Sequence, residues 1–356
     1  MTIKLMFASV LFVTLAQAAP EGIQEAWRGF SSPELMASGF NNQMNLLPLE
    51  GTIQINPRAW SGGYWASHKG GINIRWNTPT KEGFDYSSPS KAKVLTMSLA
   101  ELATLAPTEK YDLFTGSYDY PMKARAATAA SEQAPDWAGI CHGWAPATLN
   151  HNEPTPKVMT NPDGIQIPFG SSDIKALLSY YYAHHHKTDS SHQVGLRCHF
   201  GQWMRGSKTC QDDLNAGAFH IIMSNMLGIR KEGFVADVDR FKQVWNQPVV
   251  AYKTTILADN LKPSRSAANS AVKEMKVSTE FFYVDESDNS TWEVVHGTGE
   301  QFISKKTYAY TLEIDAAGKI VGGSWDSALR PDFLWNKEKA TEFIGILSRL
   351  PELLND

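Results

Sequence analysis

The chain has 356 residues, 42% of them hydrophobic, 11% aromatic and 20% charged, with a formal net charge of -4. That composition is globular, and it excludes a disordered chain, a collagen-like chain or a basic nucleic-acid binder. The slight acidity gives no reason to expect nucleic acid or an anionic membrane as a partner, and the length allows one large domain with an extension or two modest ones.

In chain order, Lys4 precedes the apolar run Leu5 to Leu15, which ends in Ala16-Gln17-Ala18. The run is too short to cross a bilayer and ends in the small-x-small pattern that signal peptidase cuts. Residues 1–18 therefore read as a signal peptide, and the mature chain as secreted or periplasmic. Residues 19–90 are rich in Gly, Pro, Ser, Asn and Trp, as in Trp60-Ser61-Gly62-Gly63-Tyr64-Trp65, and read as an extended wrap or propiece ahead of a main domain over 91–356. Ordered structure is expected from Ser98, where Ser98-Leu99-Ala100-Glu101 is a capping box, with a second short helix opening at Pro107. Ser171-Ser172-Asp173 caps a longer helix in which Ile174, Leu177, Leu178 and Tyr181 recur at helical spacing. After it the pattern turns to strands: Phe219 to Asn225, Gly233 to Asp239, Val277 to Val284, Trp292 to His296, Thr307 to Ile314 and Lys319 to Trp325. The last two are joined by Asp315-Ala316-Ala317-Gly318 as a hairpin. Helices followed by strands predict an α+β fold with segregated lobes.

Three cysteines in an exported chain leave one thiol over. Cys198 and Cys210 lie close enough to staple one loop, a closure worth about 3 kcal/mol in the chain-entropy model. Cys141 then remains as the candidate nucleophile, weighed against an inert buried cysteine that packs as a small hydrophobe. Gly139 and Gly143 flank it, and Pro146 is compatible with a helix that starts at or just after Cys141. A sulfur over the unpaired amides of a helix N-terminus is expected to have a lowered pKa. The adjacent His142 points to another face of such a helix, so the base must come from elsewhere. His220, in Ala216-Gly217-Ala218-Phe219-His220, is the best of the ten histidines, read as opening a strand beside small residues. A carboxylate on the next strand, Asp237 or Asp239, would orient it, and alternation puts both on one face.

These segments carry a resemblance. Gly139-Ile140-Cys141-His142-Gly143-Trp144-Ala145-Pro146-Ala147, Asn215 to His220, Ala236 to Arg240 and Val244-Trp245-Asn246-Gln247-Pro248 resemble the transglutaminase elicitor family of oomycetes and its bacterial relatives. The likeness extends to Lys110-Tyr111-Asp112-Leu113 and to Tyr308 to Asp315 through Gly322-Gly323-Ser324-Trp325, so it covers about residues 95 to 330. It implies a papain-like or transglutaminase-like cysteine enzyme, a protein-glutamine γ-glutamyltransferase whose Cys-His-Asp triad falls on Cys141, His220 and Asp237. It also implies a glutamine side chain as acyl donor and a primary amine such as lysine as acceptor; no cofactor is expected, and a divalent-ion requirement is left open by the residues. The Gln-x5-Cys spacing by which papain-like proteases supply an oxyanion donor is absent, the glutamine before the cysteine being Gln133. Trp137, Trp144, Trp245 and Asn246 lie near the triad motifs in sequence and are candidate substrate-binding residues, the tryptophans as an apolar channel for a lysine stem or as core.

The same triad would serve a hydrolase that uses water as acceptor. A reading from another class is a non-catalytic surface-binding protein using exposed Trp60 and Trp65. His184-His185-His186 reads as a surface cluster at a helix C-terminus rather than a metal site, because consecutive residues diverge in direction. Gly206-Ser207-Lys208-Thr209 departs from a P-loop by an extra Ser. Asn289-Ser290-Thr291 is a formal glycosylation sequon, and Asp285-Glu286-Ser287-Asp288 reads as a solvated acidic turn.

Overall fold

The computed structural model describes residues 27, 29–54, 59–78, 82–186, 192–197, 214–240, 243–287 and 289–355. The leader over 1–18, Cys198, Cys210 and the Gly206 to Thr209 segment lie outside the described residues.

The first half of the chain is helical. Short helices α1 (Lys91–Val94), α2 (Leu99–Ala103), α3 (Pro107–Thr115) and α4 (Pro121–Ala127) lead to α5 (Cys141–Asn150) and α6 (Ser171–His184). The Ser98 capping box forms as expected, with Ser98 Oγ accepting from the Glu101 amide and Glu101 accepting from the Ser98 amide. Pro107 occupies the first turn of α3, where a missing N–H costs nothing. The cap of α6 is Gly170 rather than a serine, and Asp173 reaches back to accept from the Gly170 amide at 2.7 Å. Asp173 also takes the Lys110 ammonium at 2.6 Å and the Trp76 indole N–H at 2.9 Å, so a buried charge is paired on three sides. α5 and α6 approach closely at Gly143, where a Cβ would stand 2.1 Å from the Ser179 carbonyl oxygen.

The second half is an antiparallel sheet. After β1 (Glu50–Thr52) and the hairpin of β2 (Lys157–Thr160) and β3 (Gln166–Phe169) come β4 (His192–Val194), β5 (Phe234–Asp237), β6 (Asn246–Leu261), β7 (Ala271–Val284), β8 (Ile303–Asp315), β9 (Ile320–Trp325) and β10 (Leu334–Asn336). Their order in the main sheet is β4-β10-β5-β6-β7-β8-β9, with β1 also paired to β6. The expected hairpin at Asp315 to Gly318 joins β8 and β9, with Asp315 Oδ1 accepting from the Ala317 and Lys319 amides and Gly318 at positive φ. The α+β expectation therefore holds, and a mixed helical and antiparallel architecture packs α5 against β5 and β6.

Three expectations need correction. Phe219 to Asn225 is not a strand but part of α7 (Ala216–Met223) and the π-helical turn that continues it. Every residue of α7 is buried, so its sequence shows no polar face and its isoleucines imitate a strand. The overlooked signal was Asn215, which caps α7 by accepting from the Gly217 amide at 2.8 Å. Trp292 to His296 forms no strand either, because its backbone groups are satisfied elsewhere. The Trp292 carbonyl accepts from Ser171, and the Val295 and His296 amides donate to the Glu153 carboxylate. Finally, Trp60 is fully buried, donating its indole N–H to the His151 carbonyl, so the surface-binding role expected of it is excluded.

Candidate active site

Cys141 occupies the first turn of α5. The chain enters over Gly139, where a Cβ would meet the Tyr64 carbonyl oxygen at 2.2 Å, and the Ile140 amide donates to that carbonyl at 2.7 Å. Segment 59–65 thus lies across the helix entrance. Trp144, one turn on, is 0% exposed and packs with Trp60, donating to its carbonyl. It is core, not part of a substrate channel. Pro146 sits inside α5 rather than in its first turn.

The Cys141 side chain is 6% exposed, and its sulfur accepts from Asn246 Nδ2 at 3.5 Å. Asn246 begins β6, and its Oδ1 accepts the Trp335 indole N–H at 2.8 Å, which fixes the amide so that its N–H groups face the sulfur. The thiol is nevertheless not activated as the helix N-terminus alone predicted. Burial pushes its pKa up, and the Glu286 carboxyl adds to the rise, while the Asn246 amide and the His142 backbone N–H pull it down. Desolvation wins, so Cys141 rests as a thiol.

Asp237 ends β5 directly opposite Asn246 in the antiparallel register. Burial raises its carboxyl to about 8, with the neighbouring Asp332 adding to the effect and the Asp239 and Trp245 amides opposing it. Glu286 is raised to about 8 as well, again by burial first. Asp285 and Glu286 were expected at a solvated tip; instead they fold inward beyond β7, and Glu286 accepts from Gln247 Nε2 at 2.9 Å. Asp237, Asp239, Trp245, Gln247, Asp285 and Glu286 line a pocket of about 230 Å³. Of the remaining candidates, Trp245 is half-buried with its ring edge-on to Tyr64 at 5.2 Å, and Trp137 is 37% exposed.

His220 is placed elsewhere. Its ring is fully buried on α7, Nδ1 pairs with the Tyr310 hydroxyl at 2.8 Å, and that hydroxyl continues to Thr279 and Thr254. Thr254 lies eight residues beyond Asn246 on β6, about 26 Å of extended strand. None of the described hydrogen bonds joins His220 to Cys141 or to Asp237. Burial lowers its pKa to about 4, which keeps the imidazole neutral.

The transglutaminase elicitor family model matches residues 119–344. The fold is similar to the crystal structure of the GP42 transglutaminase from Phytophthora sojae, at 22% identity over 90% of this chain and 94% of that one, with a TM-score of 0.66. No curated protein matches the chain.

Proposed function

Because the chain belongs to the transglutaminase elicitor family, we propose that it is an exported protein-glutamine γ-glutamyltransferase acting through a thioester on Cys141. The observation that carries this reading is the Cys141 sulfur at a helix N-terminus, oriented by an amide that is itself clamped by Trp335. A nucleophile on a helix facing an antiparallel sheet is also the arrangement of papain-like cysteine enzymes, which supports a papain-like reading of the mixed helical and antiparallel fold.

The sulfur attacks the carboxamide carbon of a glutamine side chain, the C–N bond breaks, and the thiol proton leaves on ammonia. A resting thiol needs a proton carrier rather than a pre-formed thiolate. Asp237 and Glu286, neutral acids up to about pH 8, are suited to exchange that proton. The role first expected of His220 passes to these carboxyls, because its ring is enclosed and already held by Tyr310. A lysine or another primary amine then takes the acyl group, and the dry surroundings of Cys141 disfavour water. The leader over 1–18 supports export, and Cys198 and Cys210 are proposed to be disulfide-bonded in the exported form.

Amine incorporation into a glutamine-containing protein tests this reading. The mature protein should incorporate a fluorescent primary amine and release ammonia, and Cys141→Ala should do neither. Ammonia release indifferent to millimolar amine, with no label incorporated, would reassign the protein as a hydrolase.

A further inference from the structure

Trp60 is core, but its neighbour in the same aromatic run, Trp65, is half-buried and lines a groove of about 790 Å³ formed by residues 63–76 and 287–300. Clefts that hold small ligands span about 300–1,000 Å³. Three half-buried aromatic rings line this one, those of Tyr64, Trp65 and Trp76. Two of them are pinned. The Tyr64 hydroxyl donates to the Asp136 carbonyl at 2.9 Å and its ring meets Trp245 edge-on, while Trp76 donates its indole N–H to Asp173 at 2.9 Å and lies 6.0 Å from the Trp292 ring. Rings already fixed lose little freedom when a ligand stacks on them. Trp65 has a φ of 45°, a left-handed backbone that a non-glycine residue keeps only where the surroundings impose it, and such strain collects at ligand sites.

The polar lining selects among ligands. Lys69 and Glu300 contribute one charge of each sign, so the groove offers no net attraction for a phosphate chain or a polycation. None of its lining residues belongs to a strand, so it has no sheet edge to which an extended peptide adds. Asn289 and Ser290, both exposed, bring an amide and a hydroxyl, which together donate and accept. A neutral saccharide matches both halves of this lining: its hydroxyls donate and accept, and the flat C–H faces of β-linked pyranoses pack on the electron-rich faces of aromatic rings.

We propose that this groove binds a neutral β-linked oligosaccharide, with pyranose faces on Tyr64, Trp65 and Trp76 and hydroxyls on Asn289 and Ser290. Neither Cys141 nor Asn246 is among the lining residues, so binding is independent of the acyl-transfer reading and needs no acyl donor. Its consequence is retention of the protein on a polysaccharide surface.

Calorimetric titration of the mature protein with cellohexaose, with chitohexaose and with a neutral peptide of alternating Ala and Pro tests this assignment. At least one hexasaccharide should bind with a Kd below about 1 mM, and the peptide should not bind. Trp65→Gly removes the ring at a backbone position that glycine adopts freely, and should weaken the saccharide by about 10-fold or more with the circular dichroism unchanged. Trp65→Phe, which keeps a ring, should stay within about threefold of wild type. Cys141→Ala should bind the saccharide as wild type does, so a failed transferase reading leaves this one standing. No binding of either hexasaccharide up to about 10 mM, or a Trp65→Gly variant that binds as tightly as wild type, would overturn the assignment. Binding of the peptide alone would overturn it too and give the groove to proline-rich segments.

Discussion

Two interior regions each hold a titratable side chain named by the sequence motifs, and each leaves a buried polar atom unpartnered. Around His220 the orphan is Nε2, on a fully buried ring whose Nδ1 is joined to a Tyr-Thr-Thr hydroxyl chain. On the Cys141 side the orphan is Gln247 Oε1, one residue beyond Asn246, and Gln247 is among the residues that line a pocket. Burial perturbs both sets of groups, lowering His220 and raising Cys141, Asp237 and Glu286. A perturbed pKa therefore does not separate them. Access does, because a proton carrier must reach the atom it serves.

Substitutions can break this comparison. The largest effect belongs to Cys141→Ala, which should reduce amine incorporation to background with the circular dichroism unchanged. Asn246→Ala should follow, lowering kcat/KM by about 10- to 100-fold as the sulfur loses its oriented donor, measured with a saturating amine. His220→Ala should act on a different axis. It opens a cavity and strands the Tyr310 hydroxyl, costing about 2–4 kcal/mol in urea unfolding. Activity per folded molecule should stay within about threefold of wild type, since a residue outside the reaction perturbs stability rather than turnover. A loss of turnover in a stably folded His220 variant would restore it as the base.

Much of this was legible in the residues. The helix that starts at Cys141, the Ser98 and Pro107 helix starts and the β8–β9 hairpin all follow from local rules of capping and turn chemistry. The environment of His220 was not legible. α7 is buried on every side, so hydrophobic periodicity carries no information there, and only the Asn215 cap marks it as helical. Glu286 was missed because an acidic tetrapeptide between strands looks the same whether it faces water or folds inward; only Gln247, far away in sequence, decides which. The long strand β6 escaped because Pro248 interrupts its start, where the β5 register nevertheless accommodates it opposite Val235.

Smaller effects sharpen the contrast through pH. The raised thiol pKa predicts that iodoacetamide labels Cys141 slowly near pH 6, with a rate that climbs about 10-fold per unit without a plateau below pH 8. A plateau near pH 6 would show an activated thiolate instead. The carboxyls of Asp237 and Glu286 bind protons more tightly when folded than when unfolded. The stability they give is full below about pH 4 and is lost as pH rises toward about 8. Glu286→Gln should therefore raise Tm at pH 9 by several degrees, on the order of 5 °C, and change it little at pH 4. His220 has the opposite sign. Its lowered pKa withdraws stability as pH falls from about 6.5 to about 4, so the stability gap between wild type and His220→Ala should narrow over that range.

The most direct measurement is to trap the acyl-enzyme. Wild type mixed with a glutamine-containing peptide, quenched in acid and digested, should yield the Cys141 peptide carrying the acyl group, with one ammonia released per adduct and the adduct discharged by hydroxylamine. The same adduct should form in the His220→Ala variant. An unmodified Cys141 alongside continuing ammonia release, or an adduct that disappears when His220 is removed from a folded protein, would contradict the account.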